Sequence, residues 1–339
     1  MNRPELGIIL VHLGHELPPY LDVCIQQIRL WSSLPIYLVV FEEVKDHYMK
    51  TLAQYNVRII STSELTPTQN HLYFLKEYTN YDKEFRDGYW RFVIERFYYI
   101  EEVMRLYKLD KAIHMEYDVM IYEDIAKLYP RANIIKGLAL SFDNDVQGYP
   151  SFIIVNNLSS LELLNGFIAI NCNAGLTDMR LLSVFRKVFP THMESLPQIP
   201  LSTYKGKPNR KNLMGVEPEG STEYLANKFE ELGSQIFDSL AIGQYVCGVD
   251  PRNTDGICII EYPNESSFYT VDEFGGLIWK QDDKKRWYLE TADGYRIVNL
   301  HVHSKRLSHF LSNRSDQPKY DYTDVKLARL APATTATTA

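Results

Sequence analysis

A chain of 339 residues, 45 % hydrophobic and 23 % charged, is long enough to bury one large α/β core and has an ordinary globular composition. Its 43 acidic against 36 basic residues leave a net charge of −7, which speaks against a general nucleic-acid binder. No apolar run reaches about 18 residues and the first residues lack the basic and apolar regions of a secretory signal, so neither a transmembrane helix nor export is expected.

In chain order, Leu6 to Leu13 is a short apolar run rich in β-branched residues. Leu21, Cys24, Ile25, Ile28 and Trp31 follow at helical spacing behind Pro18 and Pro19. Pro35 to Phe41 reads as a second strand, Asp46 to Tyr55 as a second helix and Val57 to Ser61 as a third strand. Continuous apolar strands separated by helices predict a mainly parallel sheet buried on both faces. A long helix is predicted over 88–109, then an apolar strand from Ala112 to Tyr122 that is interrupted by acids. Further strands are predicted at 136–142 and 152–155, with helices at 161–170 and 179–189.

Residues 191–220, rich in Pro, Gly, Lys and Asn, read as a mobile loop too long for an ordinary connection. Helical pattern resumes at Tyr224; Gly233 ends one helix and Ser234 caps the next. Short antiparallel strands follow at 277–280, 287–290 and 295–303. The fold class is therefore α/β: one domain over 1–312, with a polar 313–339 tail ending in Ala-Thr repeats and expected to be disordered. Cys24, Cys172, Cys247 and Cys258 form no C-x-x-C pair and read as buried thiols in a reducing, cytoplasmic setting, where the sequons at Asn157, Asn264 and Asn313 are chance matches.

The sequence concentrates chemistry in a few places. Glu116 and Asp118 stand two apart in the predicted strand, which would aim both carboxylates at one spot, where mutual repulsion is relieved by a divalent cation. Near the C-terminus, Val298-Asn299-Leu300-His301-Val302-His303-Ser304-Lys305 puts Asn299, His301 and His303 on one strand face. Imidazole is a good ligand beside carboxylates for Mn²⁺-like ions. Arg96 on the long helix has the planar fork that suits phosphate, or an ion pair with the nearby acids. The segment Ile236-Phe237-Asp238-Ser239-Leu240-Ala241-Ile242-Gly243-Gln244 carries an acid and an amide. Asp238 is the catalytic candidate and Gln244 the second; a charge at a helix N-terminus is the other reading of Asp238. His12 stands at the end of the first strand, where a packed strand-end histidine is the first reading, and no G-x-G-x-x-G, Walker or G-x-S-x-G motif is present.

The stretch from Arg96 through Leu109-Asp110-Lys111-Ala112-Ile113-His114-Met115-Glu116-Tyr117-Asp118-Val119 to Tyr122-Glu123-Asp124-Ile125 resembles the donor-binding core of GT-A glycosyltransferases. In particular it is similar to the glycogenin-like sugar transferases. It departs from their pattern in carrying Glu at the first acid, while the second, the usual direct metal ligand, is intact as Asp118. The resemblance implies a GT-A domain that moves a sugar from a nucleotide-sugar donor to a glycan or other hydroxyl acceptor, with Mn²⁺ or Mg²⁺ as cofactor. It implies that Glu116, Asp118 and one of His301 and His303 bind the metal. Arg96 and Lys305 would meet the nucleotide or diphosphate, and His12 the base or ribose. A sugar nucleotidyltransferase is the rival enzyme, lacking here its glycine-rich phosphate loop. A catalytically dead carbohydrate- or nucleotide-binding module is the rival outside catalysis.

Overall fold

The computed structural model of the chain describes residues 6–79, 85, 88–204, 218, 221–248, 250, 267–269 and 274–319. In order, the elements are β1 (Leu6–His12), α1 (Leu21–Trp31), β2 (Ile36–Val40), α2 (Glu42–Thr51), β3 (Val57–Ser61), α3 (Gln69–Glu77), α4 (Tyr89–Tyr107), β4 (Lys111–Met115), β5 (Val119–Ile121), α5 (Ile125–Ala132), β6 (Leu138–Asn144) and β7 (Gln147–Val155). Then come α6 (Leu158–Asn171), α7 (Asp178–Val188), β8 (Met193–Ser195), α8 (Leu201–Tyr204), β9 (Ile236–Phe237), α9 (Ala241–Cys247), β10 (Leu277–Gln281), β11 (Trp287–Thr291) and β12 (Ile297–His301).

The main sheet has the order β3-β2-β1-β4-β7-β6-β8. Its pairs are parallel except β4 with β7 and β7 with β6. Period-2 alternation in β1 sends Ile8 and Leu10 into one apolar cluster with α1 and α5, and Ile9 and Val11 into the other with α4, α6 and α7. The sheet is thus covered on both faces, and the α/β architecture is the one the apolar runs predict. A second sheet, β5-β12-β9, packs beside it, and β10 and β11 form an antiparallel pair.

Helix α4 is buried without interruption from Val93 to Met104. Charges inside such a helix must be paired where they stand. Glu95 meets Arg91, His71 and Tyr99; Glu101 meets Arg105 and Asn165; Glu102 meets His71 and the Thr68 amide.

Several local expectations change. The strand expected from Ala112 to Tyr122 is two strands in two different sheets. Glu116 N–H donates to the Ser151 carbonyl at 3.0 Å and Val119 N–H turns back to the Glu116 carbonyl at 3.1 Å, so the acids occupy a tight turn. The loop expected from 191 begins instead as β8, parallel to β6, because Met193 and Ser195 pack inward; residues 205–217, 219 and 220 lie outside the described residues. Ser234 caps no helix: its φ is 55°, and the chain enters β9 two residues later. Strand β12 stops at His301, short of the expected 303. Cys258, the sequon at Asn264 and the tail from 320 onward lie outside the described residues. No described helix is long and apolar enough to cross a membrane.

Candidate metal and nucleotide site

The turn between β4 and β5 stands at the C-terminal end of a parallel strand, where open α/β sheets form their ligand crevice. Two neighbours complete it. Strand β12 runs antiparallel to β5 with His301 opposite Val119, and Val302 N–H donates to the Asp118 carbonyl at 2.9 Å. This pairing brings a residue 183 positions away beside the acids. Ligand atoms of Glu116, Asp118 and His301 all lie within 4.8 Å of one another. His301 Nε2 is 3.3 Å from Asp118 Oδ2 and 3.9 Å from Glu116 Oε2.

Lys305, in the left-handed region with φ 64°, returns its ammonium to Asp118 Oδ2. Burial would raise the Asp118 carboxyl, but the Lys305 ammonium and His301 outweigh it and hold the group well below the usual carboxylate range. Burial would likewise lower His301; Asp118 and Glu116 reverse this and leave its pKa raised. Asp118 Oδ1 is buried and has no hydrogen-bond partner among the described residues. An orphaned carboxylate oxygen beside a second carboxylate and an imidazole is a donor set that fits a divalent cation.

Arg96 closes the inner side. Its guanidinium donates to Glu116 Oε1 and to Asp178 Oδ2, the latter at the first position of α7. Burial alone would lower Arg96, but the two carboxylates hold it above its ordinary value. Asp178 is raised by its burial, which Arg96 only partly offsets. Arg96 therefore orients the first acid of the pair from behind.

His12, at the end of β1, packs its ring edge-on to Tyr117 at 5.1 Å, and Tyr117 stacks on Tyr20 at 5.8 Å. Its Nε2 contacts the Glu16 carbonyl at 2.8 Å, and burial lowers its pKa. His303 is not part of the acid–imidazole group: it lies beyond the end of β12, and its Nδ1 accepts the Asp250 amide at 2.8 Å. Burial and the neighbouring His301 push it down to about 3.

Asp238 lies in the link between β9 and α9, with its carboxylate turned to the backbone. Oδ1 accepts Ile242 N–H at 3.0 Å; Oδ2 accepts Gly243 N–H and His301 N–H, each at 2.9 Å. Burial dominates these contacts and pushes it up to about 7. The close approach needs Gly243, since a Cβ there would fall 1.9 Å from the His301 carbonyl oxygen. Gln244 is the next residue on α9, half-buried. Sequence reasoning passed over Asp178, Asp143 and Ser239. Asp178 carries a visible signal, the Thr177-Asp178 start of a helix; Asp143 and Ser239 meet only through the fold.

No protein-family profile and no curated protein matches the chain in sequence. Among solved structures, the chain is similar to apo mouse xyloside xylosyltransferase 1 at 9 % identity and TM-score 0.42, over 56 % of this chain and 84 % of that one. It is similar to the galactosyltransferase LgtC with donor and acceptor sugar analogues at 10 % identity and TM-score 0.40, over 58 % and 77 %. A cytidylyltransferase of Leptospira borgpetersenii serovar Hardjo-bovis is similar at 11 % identity and TM-score 0.36, over 57 % and 76 %. At these values the likenesses carry no argument about what this chain does.

Proposed function

We propose that this chain is a metal-dependent glycosyltransferase of the GT-A kind that takes a nucleotide-sugar donor. The observation that carries the reading is the convergence of Glu116, Asp118 and His301 at the end of β4, with Lys305 on the same carboxylate. Glu116, Asp118 and His301 would hold Mn²⁺ or Mg²⁺. Such a cation, when bound, offsets the negative charge that grows on a departing diphosphate.

The chain's own residues then divide the work. Arg96 holds Glu116 in place. Lys305, flexible and cationic, turns from Asp118 to the diphosphate, adding charge where it develops. The His12, Tyr20 and Tyr117 rings, packed on one another at the end of β1, would neighbour the base. Asp238 uses both oxygens on backbone amides, so in this reading it positions His301 and leaves the reacting hydroxyl to another group. Gln244, beside it on α9, is the side chain of that segment left to face the sugar. The acceptor is a glycan or other hydroxyl compound, and the catalytic unit spans 1–312.

A thermal-shift panel of nucleotide-sugars with and without Mn²⁺ tests the proposal, followed by turnover of the stabilising donor. Stabilisation by nucleoside diphosphates only with metal, and release of nucleoside diphosphate on turnover, is the expected result. Release of pyrophosphate from a nucleoside triphosphate and a sugar phosphate would replace it with a nucleotidyltransferase. Binding without turnover of any donor would leave a binding module.

A further inference from the structure

A histidine has two ring nitrogens, and a neutral ring offers a lone pair on only one of them. His301 turns Nε2 toward Glu116 and Asp118, while its Nδ1 lies 3.3 Å from the main-chain carbonyl oxygen of Ser239. A carbonyl can only accept, and so can the carboxylates that face Nε2, so a neutral ring has one proton for two acceptors; a cation between the acids would take the Nε2 lone pair and leave the proton on Nδ1, where the Ser239 carbonyl accepts it. That carbonyl is the acceptor that suits the Nδ1 proton of a ligating neutral ring.

Ser239 is held from several directions. Its carbonyl also accepts the Ser151 hydroxyl at 3.2 Å. Its own hydroxyl donates to Asp143 Oδ1 and lies 3.3 Å from the Tyr269 hydroxyl. The preceding residue is bracketed by Asn299, whose side chain accepts Asp238 N–H at 3.2 Å and donates to the Asp238 carbonyl at 2.9 Å. Asp143 and Ser239 are both 0 % exposed. A buried carboxylate is costly unless strong donors satisfy it, and here one such donor is the hydroxyl of the residue that anchors the imidazole.

We propose that Asp143 and Ser239 act behind His301 as a positioning pair: Asp143 fixes the Ser239 side chain, and the Ser239 carbonyl fixes the proton on Nδ1 and hence Nε2 as the ligand atom. Neither residue touches the substrate in this role. Asp143 reaches the end of β6 and Ser151 the middle of β7, so the main sheet sets the orientation of an imidazole carried by the second sheet. Partners one layer behind a metal ligand commonly govern its affinity by about 10–100-fold. The inference rests on the metal reading above.

The test uses the full chain with ¹⁵N-labelled histidine, its His301 signals assigned through His301→Gln. Long-range ¹H–¹⁵N spectra with diamagnetic Mg²⁺ present, at a pH where the ring is neutral, read the tautomer; electron paramagnetic resonance reads Mn²⁺ affinity. Wild type is expected to show Nδ1–H. Ser239→Ala and Asp143→Asn are expected to mix the tautomers and weaken Mn²⁺ binding by about 10–100-fold, while Ser239→Thr, which keeps the hydroxyl, restores both. An Nε2–H ring in wild type that has bound metal, or unchanged tautomer and Mn²⁺ affinity in the variants, overturns the proposal. If wild type binds no Mn²⁺, the metal reading falls. The tautomer of Ser239→Ala then judges the positioning pair alone: a smaller Nδ1–H share than in wild type supports it and an unchanged share overturns it.

Discussion

Lys305 and His301 address the same oxygen of Asp118, the lysine ammonium bonding to Oδ2 and the imidazole Nε2 standing 3.3 Å from it. In the proposed reaction, metal and lysine would compete for the Asp118 carboxylate until a diphosphate drew the lysine away. Lys305→Met is expected to bind Mn²⁺ alone about tenfold more tightly, the equivalent of losing one charge-assisted bond of about 1.5 kcal/mol. The same variant should lose affinity for nucleoside diphosphates more than for monophosphates. Calorimetric titration with each ligand separately measures both effects, and equal losses for the two nucleotides would remove Lys305 from the diphosphate.

Asp118→Asn keeps the shape of the acid and removes its charge. The fold should persist, because the strand pairing of β5 with β12 runs through backbone groups. Mn²⁺-dependent stabilisation by nucleotides should vanish, and turnover should fall by at least about a hundredfold, since the variant loses metal-borne stabilisation of the leaving group. Circular dichroism beside a thermal-shift assay separates the two, and a variant that still shows a full Mn²⁺-dependent shift would reject Asp118 as a ligand.

Gly243→Ala probes the staple around His301. The added methyl would meet the His301 carbonyl at 1.9 Å and Asp238 Oδ2 at 2.8 Å, so α9 and β12 must separate. Overpacking of this kind costs about 1–3 kcal/mol. A lowered melting temperature together with weaker Mn²⁺ binding is the expected pair of results. Asp238→Asn should do the same through the lost His301 amide contact; near-normal metal affinity with a collapsed turnover rate would instead make Asp238 the reacting carboxylate.

A pH dependence follows from the pair of glutamates that flank His71 inside α3 and α4. Burial would lower His71, but Glu102 at 2.7 Å and Glu95 at 3.3 Å raise it above the ordinary 6.5. That contribution to stability is complete below 6.5 and fades as pH climbs through the raised value. Burial would raise Glu95, but His71 and Arg91 lower it below its ordinary 4.5, so its contribution is present above 4.5 and fades as pH falls through the lowered value. Melting temperature against pH should be highest between these limits, and His71→Gln should flatten the decline on the alkaline side. An unaltered alkaline limb in that variant would show that His71 carries no such linkage.

The sequence announces some of this and conceals the rest. Apolar spacing alone reveals β1, α1 and β2, because helical and strand periods differ and the strands are buried on both faces. The Glu116–Asp118 pair is visible as chemistry but misleading as geometry: strand alternation predicts convergence, whereas a turn closed by Val119 and Glu116 produces it. The same alternation cannot choose between His301 and His303, since the end of β12 is set by pairing with β5, far away in the chain. The partnerships of Asp178 with Arg96, 82 positions away, and of Asp143 with Ser239, 96 away, are hidden for the same reason, although the helix start at Thr177-Asp178 is itself legible.

The turn that carries both acids also joins two sheets, and β12, which brings His301, is the middle strand of the smaller one. Contacts of such long sequence separation form late, after the entropy of closing the intervening loop has been met. During synthesis the acids emerge far ahead of their imidazole partner, so a nascent chain holds two facing carboxylates and no ligand set. In the proposed reading metal capture would thereby be a property of the finished fold, and metal uptake during refolding would report the docking of β12 as one of the last steps.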